Sequence, residues 1–170
     1  MRTTNTLKLV AAIALAMGFT SAQALPPAPV PITATVTVSN DCTIFSGGPS
    51  VSFGSYVSGQ TTNLDATTNL SATCTSGTPY SIAINGGGHY AAAWAGYRAL
   101  AGSVSGYLAY GLRVNNQSGA FWGDGTQGGG VYSAVGNGAA QSVIVAARIP
   151  SGQTAAGGTY TDLVNATISY

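Results

Sequence analysis

Cys42, Cys74 and His89 are the only thiol and imidazole side chains in the chain, and its acids are four aspartates, Asp41, Asp65, Asp124 and Asp162, with no glutamate. Zinc takes three or four ligands of these types. One histidine and two cysteines with no Cys-x-x-Cys spacing fall short of a metal or redox centre. Hydrolytic chemistry has no better footing: Gly-x-Ser-x-Gly is absent, and the aspartates show no paired-carboxylate spacing. Asp124 between two glycines, and the run Gly86-Gly87-Gly88, suggest calcium or phosphate loops. Neither has supporting ligands, and a phosphate loop needs a lysine that the chain lacks after residue 8. Tight turns account for both. The expectation is a protein with no enzymatic activity and no cofactor or metal, with His89 solvated in a loop.

What positions these residues begins with export. Arg2 and Lys8 give a positive start, Leu9 to Phe19 an apolar stretch, and Ala22-Gln23-Ala24 a small-residue cleavage pattern, so residues 1–24 read as a signal peptide. The apolar stretch is shorter than the roughly 20 residues that cross a bilayer, and no later segment is apolar enough to serve as an integral membrane span. The expected mature chain, 25–170, has the size of one domain. In an oxidising compartment an even cysteine count favours a Cys42 to Cys74 disulfide closing a loop of about 32 residues.

Charged residues make up 5% of the chain, against about 25% in an ordinary globular domain. Past the signal the charges are Arg98, Arg113 and Arg148 against the four aspartates, with no basic cluster to neutralise phosphates, which argues against nucleic-acid binding. So weakly charged a surface does little to oppose self-association.

The elements read as short strands punctuated by turns. Leu25 to Pro31 is a proline-rich tether. Pro31 to Asn40 then alternates apolar and hydroxyl residues, which puts Ile32, Ala34, Val36 and Val38 on one face of a strand. Further strands are expected at 43–45, 51–57, 70–74, 80–84, 107–114, 142–149 and 160–170. The last carries a second apolar row, Val164, Ala166, Ile168 and Tyr170. The stretch from Tyr90 to Leu100 is the one helix candidate, although Gly96 interrupts it and a loop or single turn fits equally. Glycine-rich 123–138 reads as a long connection. Spacing of this kind predicts an antiparallel sandwich or barrel.

An alternating row at a free terminus can pair within its own domain or fill a groove in a neighbour. Several segments sharpen that choice. Cys42-Thr43-Ile44, Phe53-Gly54-Ser55-Tyr56, Ala72 to Tyr80, Arg98-Ala99-Leu100, Leu108 to Leu112, Trp122-Gly123-Asp124-Gly125, Arg148-Ile149-Pro150 with Gly152-Gln153, and Gly158 to Asp162 occur in an order that resembles the spore coat protein U domain family. That family includes the Csu-type subunits of archaic chaperone-usher pili. The loops at 90–94 and 128–130 depart from the pattern. The resemblance implies an all-β fold, an incomplete immunoglobulin-like antiparallel β-sandwich (the pilin fold) completed by a donor strand. It divides the chain into a signal peptide (1–24), an N-terminal extension with the donor strand (25–40) and a pilin domain (41–170).

On that reading Ile32, Ala34, Val36 and Val38 enter the groove of the next subunit, and the strand bearing Val164, Ala166, Ile168 and Tyr170 pairs with a periplasmic chaperone. The implied partners are that chaperone, an outer-membrane usher and other pilin subunits. The implied location is the cell surface after passage through the periplasm, in a pilus that serves attachment and biofilm formation. A single domain points to a rod or minor subunit rather than a two-domain tip adhesin. Two alternatives stand beside it: a secreted glycan-binding sandwich that uses the loop aromatics Trp94, Tyr97, Phe121 and Trp122, for which packing is the simpler role, and a non-fibrous coat or matrix protein of the same family. The triplets at Asn69, Asn116 and Asn165 match the glycosylation pattern, but such triplets are common in a chain this rich in Asn, Ser and Thr.

Overall fold

The computed structural model describes residues 29, 31–44, 48–90 and 96–170. The expected signal peptide, most of the proline-rich tether and Trp94 lie outside the described residues. The chain divides into two units, 1–36 and 37–170. In the first, residues 31–36 belong to no strand and are exposed. Among the described residues the second holds nine strands: β1 (Cys42–Ile44), β2 (Leu64–Cys74), β3 (Pro79–Ile84), β4 (Tyr97–Gly102), β5 (Tyr107–Val114), β6 (Tyr132–Val135), β7 (Ala140–Ile149), β8 (Tyr160–Thr161) and β9 (Ala166–Ser169). No helix occurs among the described residues.

The strands form a six-stranded sheet in the order β1-β2-β7-β5-β4-β8 and a three-stranded sheet in the order β6-β3-β9. Every strand pair is antiparallel. The period-two pattern explains how they pack. Leu70, Ala72 and Cys74 on β2, Tyr80, Ile82 and Ile84 on β3, and Val143, Val145, Ala147 and Ile149 on β7 are buried, while their neighbours in sequence are mostly less so. These rows form one core with Leu112 and Tyr110 of β5 and with Trp122. The architecture is the all-β antiparallel sandwich that the sequence predicts.

Four local expectations are corrected. Tyr97 to Leu100 is neither helix nor turn but part of β4, which pairs with β5 from Tyr97↔Gly111 to Ala101↔Tyr107; the alanine run behind the helix reading lies at 91–93, outside the described residues. The 123–138 connection contains β6, whose four residues were too few to show against the surrounding glycines. The strand expected at 51–57 is not formed. The strand expected at 160–170 is two short strands in different sheets, β8 against β4 and β9 against β3.

Arg98 and Trp122, both 0% exposed, fasten one end of the sandwich. Trp122 Nε1 donates to the Ile82 carbonyl at 2.8 Å. The Arg98 guanidinium donates to the carbonyls of Asn85, Ile84 and Trp122, each at 2.8 Å. Burial pulls its pKa below the usual arginine value. These carbonyls satisfy Nε and Nη2, while buried Nη1 has no hydrogen-bond partner among the described residues.

Candidate functional site

A cleft of 710 Å³ opens in the 37–170 unit between residues 50–58 on one side and 155–162 on the other. Leu100 of β4, Leu108 of β5 and Ile149 of β7 line it, so core residues reach its surface. Val51, Phe53 and Tyr56 of the first wall pack against the core. The second wall begins with Ala155-Ala156-Gly157-Gly158, side chains too small to fill the space.

That second wall leads into the C-terminal run. Thr161 pairs with Ala101 of β4 and Ala166 with Ile84 of β3. β8 ends the large sheet and β9 ends the small one. Among the described residues the run therefore has a strand ladder on one side only; β1 lies near β9 but does not pair with it. Val164, Ala166 and Ile168 turn inward against the core, while Tyr170 is exposed. An edge strand beside a cleft that core side chains such as Leu108 and Ile149 reach is a template for another strand.

The first wall hangs from the turn after β7. Tyr56 Oη accepts from the Gln153 amide at 3.0 Å, and the Gly59 amide donates to the Gln153 carbonyl at 2.8 Å. Its alternating residues 51–57 follow a strand pattern but pair with no strand among the described residues.

The expected donor residues stand in the open. Ile32, Val36 and Val38 are 95%, 86% and 74% exposed, and Ala34 is exposed as well. Residues 31–41 belong to no strand. At Asp41 the chain is tied to Thr75, whose amide donates to the Asp41 carbonyl at 2.9 Å and whose hydroxyl accepts from the Asp41 amide at 3.1 Å. One residue later Cys42 is joined to Cys74 by a disulfide of 2.03 Å that directly bridges paired β1 and β2.

The loop aromatics are engaged in packing. Trp122 is buried in the core and unavailable to a surface ligand. Phe121 lies 5.1 Å from the Tyr97 ring, centre to centre, and the Arg113 guanidinium sits over the Phe121 ring, 3.7 Å from its centroid. His89 is exposed and stacks loosely on Tyr107. The carboxylate of Asp124 accepts from the Thr126 and Gln127 amides and the Thr126 hydroxyl, which closes the glycine turn and holds its pKa low. Among the described residues no three His, Cys, Asp or Glu side chains cluster as metal ligands would.

Sequence reasoning did not single out Phe53, Tyr110 or Asp162, which the fold brings to the cleft or beneath it. Their signal was visible in the segments Phe53 to Tyr56, Leu108 to Leu112 and Gly158 to Asp162, but no spacing rule joins three such distant stretches.

Among solved structures, the chain is similar to one in the crystal structure of the CsuC-CsuE chaperone-tip adhesion subunit pre-assembly complex from archaic chaperone-usher Csu pili of Acinetobacter baumannii, with 21% identity and a TM-score of 0.55. The match covers 79% of this chain and 41% of that one, and at this identity it is a likeness of fold. No curated protein matches the chain. The Spore Coat Protein U domain matches residues 28–167, most of the chain and nearly all of the described sandwich, and the chain belongs to that family.

Proposed function

We propose that the protein is a structural subunit of a chaperone-usher pilus, polymerised by donor-strand exchange and displayed at the cell surface for attachment and biofilm formation. The observation that carries this reading is the C-terminal run, paired on one side only, beside a cleft floored by core side chains. The same chain holds an exposed alternating segment of matching chemistry at 32–38. Alternate side chains on a strand are about 6.6 Å apart, so Ile32, Ala34, Val36 and Val38 would present a row roughly 20 Å long. Each large aliphatic moved from water into the cleft contributes about 1.5–3 kcal/mol. A periodic ladder of backbone bonds adds to that.

In the cell a periplasmic chaperone would occupy the edge first, and an outer-membrane usher would direct its replacement by the extension of another pilin subunit. The cysteine bond and the small charge of the chain suit an exported, self-associating protein. The glycan-binding alternative is disfavoured by the packing of Phe121 and Trp122.

The test deletes residues 25–39 and supplies a peptide covering 30–39. Heat-sensitive multimer ladders should vanish on deletion, capture by the chaperone should persist, and the peptide should raise the melting temperature of the released subunit. A shortened protein that is a stable monomer and ignores the peptide overturns the proposal.

A further inference from the structure

Tyr110 touches both sides of the cleft from beneath. Its ring meets Phe53 edge-on with centroids 6.1 Å apart, and its hydroxyl donates to Asp162 Oδ2 at 2.7 Å. Phe53 belongs to one wall and Asp162 to the other. Tyr110 itself is immobilised: it is buried, lies in the middle of β5 and pairs with Arg98 of β4.

Asp162 stands where the C-terminal run leaves the large sheet for the small one. Residues 162–165 have no ladder partner, and side-chain bonds plus one backbone bond hold them instead. Asp162 Oδ1 accepts from the Gly88 amide at 3.0 Å and from the Leu163 amide at 2.9 Å. The Asn165 amide donates to Asn85 Oδ1 at 2.9 Å, and the Asn85 amide donates to the Asn165 carbonyl at 3.1 Å. A Cβ at Gly87 would collide with the Asp162 carboxylate, so glycine is what lets the loop close over it. Through the Asn85 carbonyl the cluster is tied to buried Arg98.

A strand inserted between two others needs neighbours about 4.8 Å away on each side, which puts the flanking backbones roughly 9.6 Å apart. Hydrogen bonds weaken over a few tenths of an ångström, so the spacing of the walls is a condition for uptake. We propose that Tyr110 is the positioning residue that sets this spacing, its ring bracing the Phe53 wall while its hydroxyl anchors the Asp162 wall. The inference rests on the strand-acceptor reading above and adds the device that tunes it. A rigid aromatic with one charge-assisted bond is suited to the task, because its ring and its hydroxyl reach two elements at once.

The test uses the full mature chain and a fluorescent peptide covering residues 30–39. Tyr110→Phe keeps the ring on Phe53 and removes the bond; Asp162→Asn keeps the shape and removes the charge. Each should weaken peptide binding by about tenfold, the worth of one bond to a charged acceptor. The double variant should be no weaker than the weaker single one, since both lose the same bond. Amide exchange should speed up at 162–165 while β2 and β7 stay protected. Variants that bind as tightly as the wild type overturn the inference, as does uniform loss of protection across β2 and β7, which marks a general stability effect. A wild-type chain that ignores the peptide overturns the strand-acceptor reading and this inference with it; wild-type binding with undiminished variants overturns this inference alone.

Discussion

The side chain of Gln153 clasps the backbone of Ala109, accepting from its amide at 2.7 Å through Oε1 and donating to its carbonyl at 2.9 Å through Nε2. The ladder between β5 and β7 stops at Gly111↔Arg148, so Ala109 lies beyond the last rung. Gln153 supplies the bonds that a longer β7 would have made. Its backbone meanwhile holds Tyr56 and Gly59, which links the cleft's floor to its first wall.

Gln153→Ala should therefore lower stability by about 1–3 kcal/mol, because it leaves both Ala109 groups without their partner. A shift of the urea midpoint at constant slope would show this. Unchanged stability would mean that water replaces the side chain at no cost.

Breaking the Cys42 to Cys74 bond removes the covalent tie of a three-residue strand. By loop-closure entropy the cross-link is worth about 3–4 kcal/mol. The Cys42→Ser, Cys74→Ser pair should unfold at a lower temperature, and exchange should rise first at 42–44. Equal melting of the oxidised and reduced chains would count against this.

Stability should fall in strong alkali. Burial first, and then the bond to Asp162, hold the Tyr110 pKa far above its usual value of 10, and burial raises Tyr80 too. Above pH 10 the unfolded chain releases protons that the folded chain retains, so the contribution is complete below that pH and declines progressively as pH climbs from there toward the higher folded-state value. Urea midpoints taken between about pH 9 and about pH 11 should decline, and Tyr110→Phe should flatten the slope.

Acid acts in the opposite sense. The hydrogen bond from Arg148 keeps the Asp65 carboxyl below its usual 3.8, and the Gln127 and Thr126 amides do the same for Asp124. Their contribution is present above about pH 4 and is lost as pH falls below it. Arg148→Gln should remove the Asp65 share. Because that pair is exposed, the cost near neutral pH should stay below about 1 kcal/mol in a denaturation series.

Residues 51–57 should behave as a conditional strand. Their amides should exchange fast in the subunit alone and slow markedly when the 30–39 peptide binds, as the alternating pattern of Val51, Phe53 and Val57 acquires a partner. Exchange that stays fast in the complex would place the peptide elsewhere.

Local pattern was enough for β3 and β5, whose expected bounds coincide with the observed strands to within a residue. It was enough too for the cysteine bond, since two thiols have one internal pairing, and for Val164, Ala166 and Ile168 of the C-terminal row, whereas the strand expected at 31–40 is not formed. Tertiary structure decided the rest. The alternation at 51–57 reads as a strand, yet in the fold no described strand pairs with it. The break at 162–165 arises because the chain must cross between sheets, and a continuous alternation carries no mark of where it changes partner. Trp122 looked like a loop aromatic and proved to be core, because burial is set by what folds over a residue. The meeting of Phe53, Tyr110 and Asp162 joins three distant stretches, and only the closing of the sandwich brings them together.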